Sequence, residues 1–145
     1  MDRGSINHLA LTVSDLVRST EFYDRVLGFM GYARVEVPEA TQQLMKTRLH
    51  AWASPTGSIT LRPTKAESAG KAHDRDAPGL NHMAFNAENR ADVEKMHSLL
   101  QDIGARILDP PAEYPYFPGY FSVYFTDPDG FKFEYVFWPQ PQART

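Results

Sequence analysis

"INHLAL" at residues 6–11 and "LNHMAF" at residues 80–85 repeat one pattern of an apolar residue, Asn-His, an apolar residue, Ala and an apolar residue. Apolar and polar side chains alternate along each copy, which predicts a strand with one apolar face. Each copy puts a histidine, His8 or His82, at the same place on the polar face. The repetition predicts two copies of one supersecondary unit, because a single unit cannot bury its own apolar face.

The first module, residues 5–63, has the pattern of a β-α-β-β-β unit. The strand that contains His8 is followed by "SDLVRSTEFYDRVLGF", which predicts a helix because apolar residues recur at helical spacing. Ser14 or Asp15 is the expected N-cap, and Gly28 is the expected end of the helix. Three strand-like runs complete the module: "FMGYARVEV", "LMKTRLHAWA" and "SITLRP".

The second module, residues 79–138, repeats this order after a polar linker at 64–78. Its predicted helix is "NRADVEKMHSLLQDIG", with Gly104 as the stop signal. The predicted strands are "LNHMAFNA", "ARILDPP", "GYFSVYFTD" and "FKFEYVFW". The last two are joined by "DPDG", a strong turn signal that corresponds to "SPTG" in the first module.

The composition predicts one domain over residues 1–145 and excludes several classes of protein. The 145 residues are 42% hydrophobic, which is enough to form a core and too much for a disordered chain. A net charge of −3 argues against a nucleic-acid partner. The absence of cysteine excludes disulfides and thiolate metal sites. Without a membrane span or a secretion signal, the expected location is the cytoplasm.

The two modules together predict an α+β fold in which two four-stranded sheets, each covered by a helix on one side, curl toward each other. The faces opposite the helices are then polar and line a cleft, because a strand has only two faces. The residues assigned to these polar faces are His8, Arg48, His50, Arg62, His82, Tyr124 and Glu134.

The chain resembles the vicinal oxygen chelate superfamily over about residues 5–138. The motifs that carry the resemblance are "NHLALTVSDLVRSTEFYDRVLGF" and "YFTDPDGFKFEYV". That superfamily includes glyoxalase I, extradiol dioxygenases, methylmalonyl-CoA epimerase, and fosfomycin- and bleomycin-resistance proteins. The resemblance implies a glyoxalase-like fold with metal ligands at His8, His82 and Glu134. The fourth ligand position of the family falls on Thr60 by face or on Leu61 by count from Gly57, and neither residue suits a metal.

Two imidazoles and one carboxylate occupy one face of an octahedron and leave three positions open. Non-haem Fe(II) oxygenases use this ligand set, and Mn²⁺, Co²⁺, Ni²⁺ or Zn²⁺ can also bind it. A metal held in this way polarises substrate oxygens or lowers the pKa of bound water. The resemblance therefore predicts a divalent metal cofactor of unspecified identity.

Further residues are candidates for catalysis and for binding a small-molecule substrate. Tyr124 is a candidate hydrogen-bond donor to a developing oxyanion, and His50 is a candidate general base. Arg48 and Arg62 are candidates for binding an anionic group, and Trp52 alternates with His50 on one predicted strand. Each of these side chains has an alternative interpretation as a structural or solvated residue without a role.

The loop "AEYPYFPGYF" at residues 112–121 is rich in aromatic residues and is punctuated by proline and glycine. Its Tyr116, together with Tyr120, is expected to contact substrate at the mouth of the cleft. The alternatives are packing against the other module or a contact between subunits. This loop and the open sheet edges predict a homodimer, in which the modules pair within one chain or swap between two.

The resemblance leaves the reaction open. An extradiol dioxygenase is the first expectation, and an enzyme similar to lactoylglutathione lyase is the second. Thr60 and Leu61 argue against glyoxalase I and the epimerase, and Ala10 replaces a threonine that the fosfomycin enzymes have at this position. The alternative from another class is a metal-free, ligand-sequestering protein of the bleomycin-resistance type.

Overall fold

The computed structural model describes residues 3–139, which form two compact units divided between Ala72 and His73. Unit one contains β1 (His8–Val13), α1 (Leu16–Phe29), β2 (Ala33–Val35), α2 (Glu39–Met45), β3 (His50–Ser54) and β4 (Gly57–Pro63). Unit two contains β5 (Met83–Asn86), α3 (Arg90–Asp102), β6 (Arg106–Glu113), β7 (Phe121–Thr126) and β8 (Lys132–Phe137). Within the described residues, no helix is both long and apolar enough to cross a membrane.

The sheet of unit one has the strand order β1-β4-β3-β2, in which β1 and β4 are parallel and the other pairs are antiparallel. The side chain of Asp15 caps α1, because its Oδ1 accepts hydrogen bonds from the backbone amides of Val17 and Arg18. Buried apolar side chains of α1 and the sheet form the core of this unit: Leu11, Val13, Phe22, Tyr23, Val26, Leu27, Trp52, Ile59 and Leu61.

The sheet of unit two has the equivalent order β5-β8-β7-β6, with β5 and β8 parallel. Asn89 caps α3 by accepting a hydrogen bond from the amide of Asp92. Gly104, with a φ of 66°, follows the helix and ends it as the sequence predicts. The hydroxyl of Tyr135 on β8 donates to Asp92 on α3 at 2.5 Å. The helix therefore covers the face of the sheet that carries the side chain of Tyr135.

The α+β class and the two four-stranded mixed sheets are confirmed, but three local predictions are wrong. Gly28 lies inside α1, which continues to Phe29. The predicted strand "LMKTRLHAWA" is a strand only from His50 onward, because its first residues complete α2 and then a connecting segment. Lys46 ends α2 in the left-handed conformation, with a φ of 50°. The run "FMGYARVEV" contributes only the three residues of β2.

The strand register settles which residue of β4 corresponds to Glu134 of β8. Ala10 pairs with Thr60 in unit one, and Ala84 pairs with Glu134 in unit two. The same spacing separates Ala10 from Ala84 and Thr60 from Glu134, so Thr60 rather than Leu61 is the counterpart. Leu61 is fully buried in the core of unit one.

Candidate functional site

The candidate site of unit two lies on the sheet face opposite α3. Ala84, Glu134 and Tyr124 are in register across β5, β8 and β7, so their side chains share one face. His82 lies two residues before Ala84 and is on the same face. The intervening residues of β8, such as Phe133 and Tyr135, are buried on the helix side.

His82 and Glu134 form the centre of this face. Nε2 of His82 lies 3.5 Å from Oε2 of Glu134, which is too long for a good hydrogen bond. Two donors that each lie about 2.0–2.2 Å from a common metal ion are roughly 3.0–3.6 Å apart at ordinary coordination angles. The side chain of Glu134 is 2% exposed, whereas that of His82 is 37% exposed. The two atoms therefore have the separation of ligands that share an ion.

The neighbouring asparagine orients the imidazole. Nδ1 of His82 lies 2.8 Å from Oδ1 of Asn81, and that oxygen only accepts hydrogen bonds, so Nδ1 carries the proton. The lone pair is then on Nε2, the atom that faces Glu134. Metal-binding histidines usually have this kind of partner on the other ring nitrogen.

Two tyrosines complete the polar floor of the site. The hydroxyl of Tyr120 donates to Oε1 of Glu134 at 2.5 Å. Burial, followed by the hydrogen bond to Glu134, raises the pKa of Tyr120 and of Tyr124 above the usual phenol value of 10.0. Both hydroxyls are therefore protonated at neutral pH, and the single proton of the Tyr120 hydroxyl is donated to Glu134.

A cavity of about 370 Å³ opens above these residues. Its floor is His82, Glu134 and Tyr124, and Nζ of Lys132 lies 4.4 Å from the centroid of the Tyr124 ring. Its remaining lining residues are aromatic: Tyr116, Phe117, Tyr120 and Trp138. The prediction that Tyr116 and Tyr120 face a cleft is consistent with this lining.

The residues of unit two supply two ligands of the type that divalent transition metals prefer. Over residues 3–139, neither unit on its own groups three His, Asp or Glu side chains closely enough to hold an ion. The donor types, the orientation of Nε2 and the burial of Glu134 fit a metal, although unit two does not complete its ligand set.

The open face of unit one carries the other predicted ligand. His8 pairs with Ser58, and Ala10 with Thr60, so these four side chains share the face opposite α1. Arg62 is on the same face, in register with Thr12. Nδ1 of His8 lies 2.9 Å from Oδ1 of Asn7, which repeats the arrangement of His82 and Asn81.

The expectation that His50 and Trp52 face the cleft is wrong. Nδ1 of His50 lies 2.6 Å from the hydroxyl of Thr20 on α1, so the imidazole is on the helix-covered face. Trp52 is 1% exposed, and its Nε1 donates to Oδ1 of Asp24 on α1 at 2.8 Å. The hairpin from β3 to β4 is one residue shorter than the hairpin from β7 to β8, so the residues of β3 have the opposite facing from the one predicted.

Arg48 also departs from its predicted place. It is exposed in the segment between α2 and β3 and is not a strand residue.

Burial and the neighbouring cations of Arg34 and Arg48 lower the pKa of His50, which therefore stays neutral near pH 7. His50 borders a separate cavity of about 580 Å³ in unit one, beside Arg34 and Gln42.

Sequence reasoning missed four residues that the structure places at or beside the histidines. Lys132 is two residues before Glu134 on β8, so the period of two along a strand would have indicated that both share one face. Trp138 follows the last strand without any local signal. Asn7 and Asn81 are part of the repeated pattern, and their recurrence beside each histidine was the available signal.

Residues 5–135 match the profile of the Glyoxalase/Bleomycin resistance protein/Dioxygenase superfamily. The chain belongs to this superfamily. The match spans both units and includes His8, His82 and Glu134. This agrees with the resemblance seen in the sequence motifs.

Three similar proteins illustrate the range of the superfamily. Protein YqjT of Bacillus subtilis is 29% identical, over 90% of this chain and 97% of its own. The metallothiol transferase FosB of Lysinibacillus sphaericus is 30% identical, over 90% of this chain and 80% of its own. A Bacillus halodurans crystal structure, described as a candidate glyoxalase, is 25% identical with a TM-score of 0.78, and covers 94% of this chain and 97% of its own.

Proposed function

We propose that this chain is a divalent-metal-dependent enzyme acting on a small, oxygen-bearing substrate, with His8, His82 and Glu134 as metal ligands. The observation that carries the proposal is the pairing of His82 with the buried carboxylate of Glu134 at the floor of a cavity. A buried carboxylate is costly unless a cation compensates it. Tyr120 offers Glu134 only a neutral hydrogen bond, so a metal ion is the partner that fits.

His8 is the proposed third ligand because it repeats the local arrangement of His82. Both imidazoles have Nδ1 against the side-chain oxygen of the preceding asparagine, which leaves Nε2 free to bind a metal. The counterpart of Glu134 in unit one is Thr60, which supplies no carboxylate. The expected set is therefore two imidazoles and one carboxylate, with His8 provided by the same chain or by a second copy.

A metal ion bound there would supply Lewis acidity and open positions for substrate oxygens. The chain's own groups do the rest. Tyr124 is protonated and lies beside Glu134, so its hydroxyl is placed to donate to a substrate oxygen that gains charge. Tyr120 holds the carboxylate of Glu134 in place. The aromatic lining offers apolar surface to the bound molecule.

Metal content of purified and EDTA-treated protein tests the proposal directly. Mn²⁺, Fe²⁺, Co²⁺, Ni²⁺ and Zn²⁺ are added back in turn, and bound metal is measured by elemental analysis. His8→Ala, His82→Ala and Glu134→Gln are each expected to lower occupancy, whereas His97→Ala, a histidine of α3, is the matched control. Equal occupancy in all four variants would mean that the ligand assignment is wrong.

Ring-cleaving dioxygenase chemistry is the first candidate reaction. The two-histidine, one-carboxylate set suits Fe²⁺, and the aromatic lining of the cavity suits a ring substrate. The test is oxygen uptake by Fe²⁺-loaded protein with catechols. Isomerisation of a 2-oxoaldehyde thiol adduct, in the manner of lactoylglutathione lyase, is tested with the Zn²⁺- and Ni²⁺-loaded protein.

The similarity to FosB favours a further candidate, the transfer of a thiol to an electrophilic substrate. Its test is thiol consumption by the Mn²⁺-loaded protein in the presence of small epoxides. If the protein binds no metal and no turnover is found, His82 and Glu134 are an ion pair in a ligand-sequestering protein. That outcome would support the function from another class, of the bleomycin-resistance type.

A homodimer is part of the proposal, because β5 and β6 are the edge strands of the sheet in unit two, and Tyr116 and Phe117, in the loop after β6, are 58% and 49% exposed. A small-molecule substrate is the only other partner proposed. Sedimentation at about micromolar concentration, within the range of specific dimers, tests the assembly. A monomer there would count against it.

A further inference from the structure

The cavity beside His82 and Glu134 has aromatic walls that metal binding alone does not require. The rings of Phe117 and Trp138 are stacked, with centroids 4.5 Å apart and planes inclined by 24°. The Tyr116 ring stands nearly perpendicular to that of Tyr120, at 5.4 Å and 83°. Much of this aromatic surface is exposed, and an exposed apolar patch around a polar floor is typical of a binding site.

A single cation lies among the residues that line this cavity. Lys132 is two residues before Glu134 on β8 and shares its face. Its ammonium is 4.4 Å from the Tyr124 ring centroid, and no carboxylate within residues 3–139 forms an ion pair with it. This charge is therefore available to an anionic group of a bound molecule.

We propose that the cavity binds a small molecule with one planar ring and one anionic group, the ring against Trp138 and Tyr116 and the anion at Lys132. The volume of about 370 Å³ is near the lower end of small-molecule sites, which suits a single ring. The inference rests on the proposed function in one respect only: the bound molecule directs its reacting oxygens toward His82 and Glu134. The cation and the aromatic walls select the substrate by parts that do not react.

Three matched probes separate the ring from the charge: benzoate, benzamide and cyclohexanecarboxylate. The titration uses EDTA-treated full-length protein, so the result does not depend on metal. The chain has two tryptophans, and Trp52 is 1% exposed, so quenching of tryptophan fluorescence reports mainly on Trp138. Benzoate is expected to bind about fivefold more tightly than either of the other probes, because each lacks one of the two contacts. Equal affinities would overturn the proposal.

Two substitutions assign the contacts. Lys132→Met keeps the length of the side chain, and it is expected to remove the preference for benzoate over benzamide. Lys95→Met, on the exposed side of α3, is the matched control and should retain the preference. Trp138→Leu is followed by saturation-transfer NMR, and it should remove the preference for benzoate over cyclohexanecarboxylate. Thermal unfolding of each variant confirms that it is folded; Lys132→Gln replaces Lys132→Met, and Trp138→Phe with Trp138→Ala replaces Trp138→Leu, if the first variant does not fold.

The outcomes distinguish this inference from the proposed function. Metal binding without any probe preference would overturn the ring-and-anion site and leave the metal enzyme standing. A clear preference for benzoate in a protein that binds no metal would support the ring-and-anion site and overturn the metal enzyme. If no probe binds and Trp138→Leu instead converts a dimer to a monomer in sedimentation, the aromatic walls belong to a subunit interface, and the proposal is wrong.

Discussion

The open faces of the two sheets have the same framework but different side chains. At register-equivalent positions, unit one has Ser58 and Thr60 where unit two has Lys132 and Glu134. Opposite Thr60 on the neighbouring strand is Ala51, whereas Tyr124 is opposite Glu134. Unit one therefore carries small side chains around one histidine, and unit two carries a carboxylate, a phenol and a cation around the other.

The difference extends to the hairpins. The paired residues Tyr124 and Glu134 are ten positions apart in the sequence (134 − 124), whereas the paired residues Ala51 and Thr60 are nine positions apart (60 − 51). One residue changes the facing of every side chain on a strand, because side chains alternate with a period of two. This is why His50, which has the same spacing from Tyr124 as His8 has from His82, is on the helix-covered face.

Exchanging the carboxylate for its amide should have the largest effect. Glu134→Gln keeps the shape of the side chain and the hydrogen bond from Tyr120, but removes the negative charge that the proposed metal site requires. Metal affinity should fall by more than about a hundredfold, since even residues behind the ligands contribute 10–100-fold. Thr60→Val makes a comparable change on the open face of unit one and should leave affinity unchanged. Isothermal titration with Mn²⁺ measures both.

Tyr124→Phe removes only the hydroxyl. Because loss of one donor to a developing oxyanion costs on the order of 10²–10³ in rate, kcat should fall by about that factor. Metal content should be near normal, since a protonated phenol is a poor ligand. Steady-state kinetics on an identified substrate provide the check. An unchanged kcat would show that Tyr124 is structural, and a loss of metal would mean that the ligands are misplaced.

Asn81→Ala tests whether the asparagine orients His82. Without the acceptor at 2.8 Å, Nδ1 no longer has to carry the proton, so metal affinity should fall about 10–100-fold. Asn81 also donates to the carbonyl of Arg75, and Asn81→Asp loses this contact while keeping an acceptor for Nδ1. Rescue of metal affinity by Asp supports the orienting role. If Ala and Asp weaken binding equally, the contact with Arg75 is what matters.

Trp52→Phe tests the assignment of this residue to the core of unit one. The indole loses its hydrogen bond to Asp24 and part of its buried volume, so the free energy of unfolding should fall by about 1–3 kcal/mol. Urea denaturation measures the change. Binding of benzoate and KM for any identified substrate should not change, and a raised KM would return Trp52 to the substrate-binding residues.

The pH dependence of stability should show a smaller effect at His50. Its pKa is lowered from 6.5 in the folded state, so below pH 6.5 the unfolded chain binds more protons than the folded chain. The stability contribution is therefore complete above pH 6.5 and declines as the pH falls toward the folded pKa. Urea denaturation between pH 7.5 and 5.5, a range about one unit either side of the unperturbed pKa, should show a shallower decline for His50→Gln. Parallel curves would contradict the assignment.

The sequence by itself determined the architecture of each unit. The repeated Asn-His strand, the helix periodicity and the "DPDG" turn were sufficient for the sequence of strands and for α1 and α3, because alternation and capping are local properties, but they missed α2 in unit one. They also placed His82, Tyr124 and Glu134 on one face, since β5 and β8 are regular strands and the connection from β7 is a recognisable turn. The same local patterns placed His8 on the open face of unit one.

Only the tertiary structure decided which face His50 and Trp52 occupy, and which residues surround Glu134. The start of β3 depends on α2, a short helix with no buried residues of its own and therefore no apolar periodicity in the sequence. Trp138 and Tyr120 meet at 5.8 Å although they are on separate segments, a contact that arises from the pairing of β7 with β8. Facing and long-range contacts depend on register, and register is a property of paired strands rather than of either strand alone.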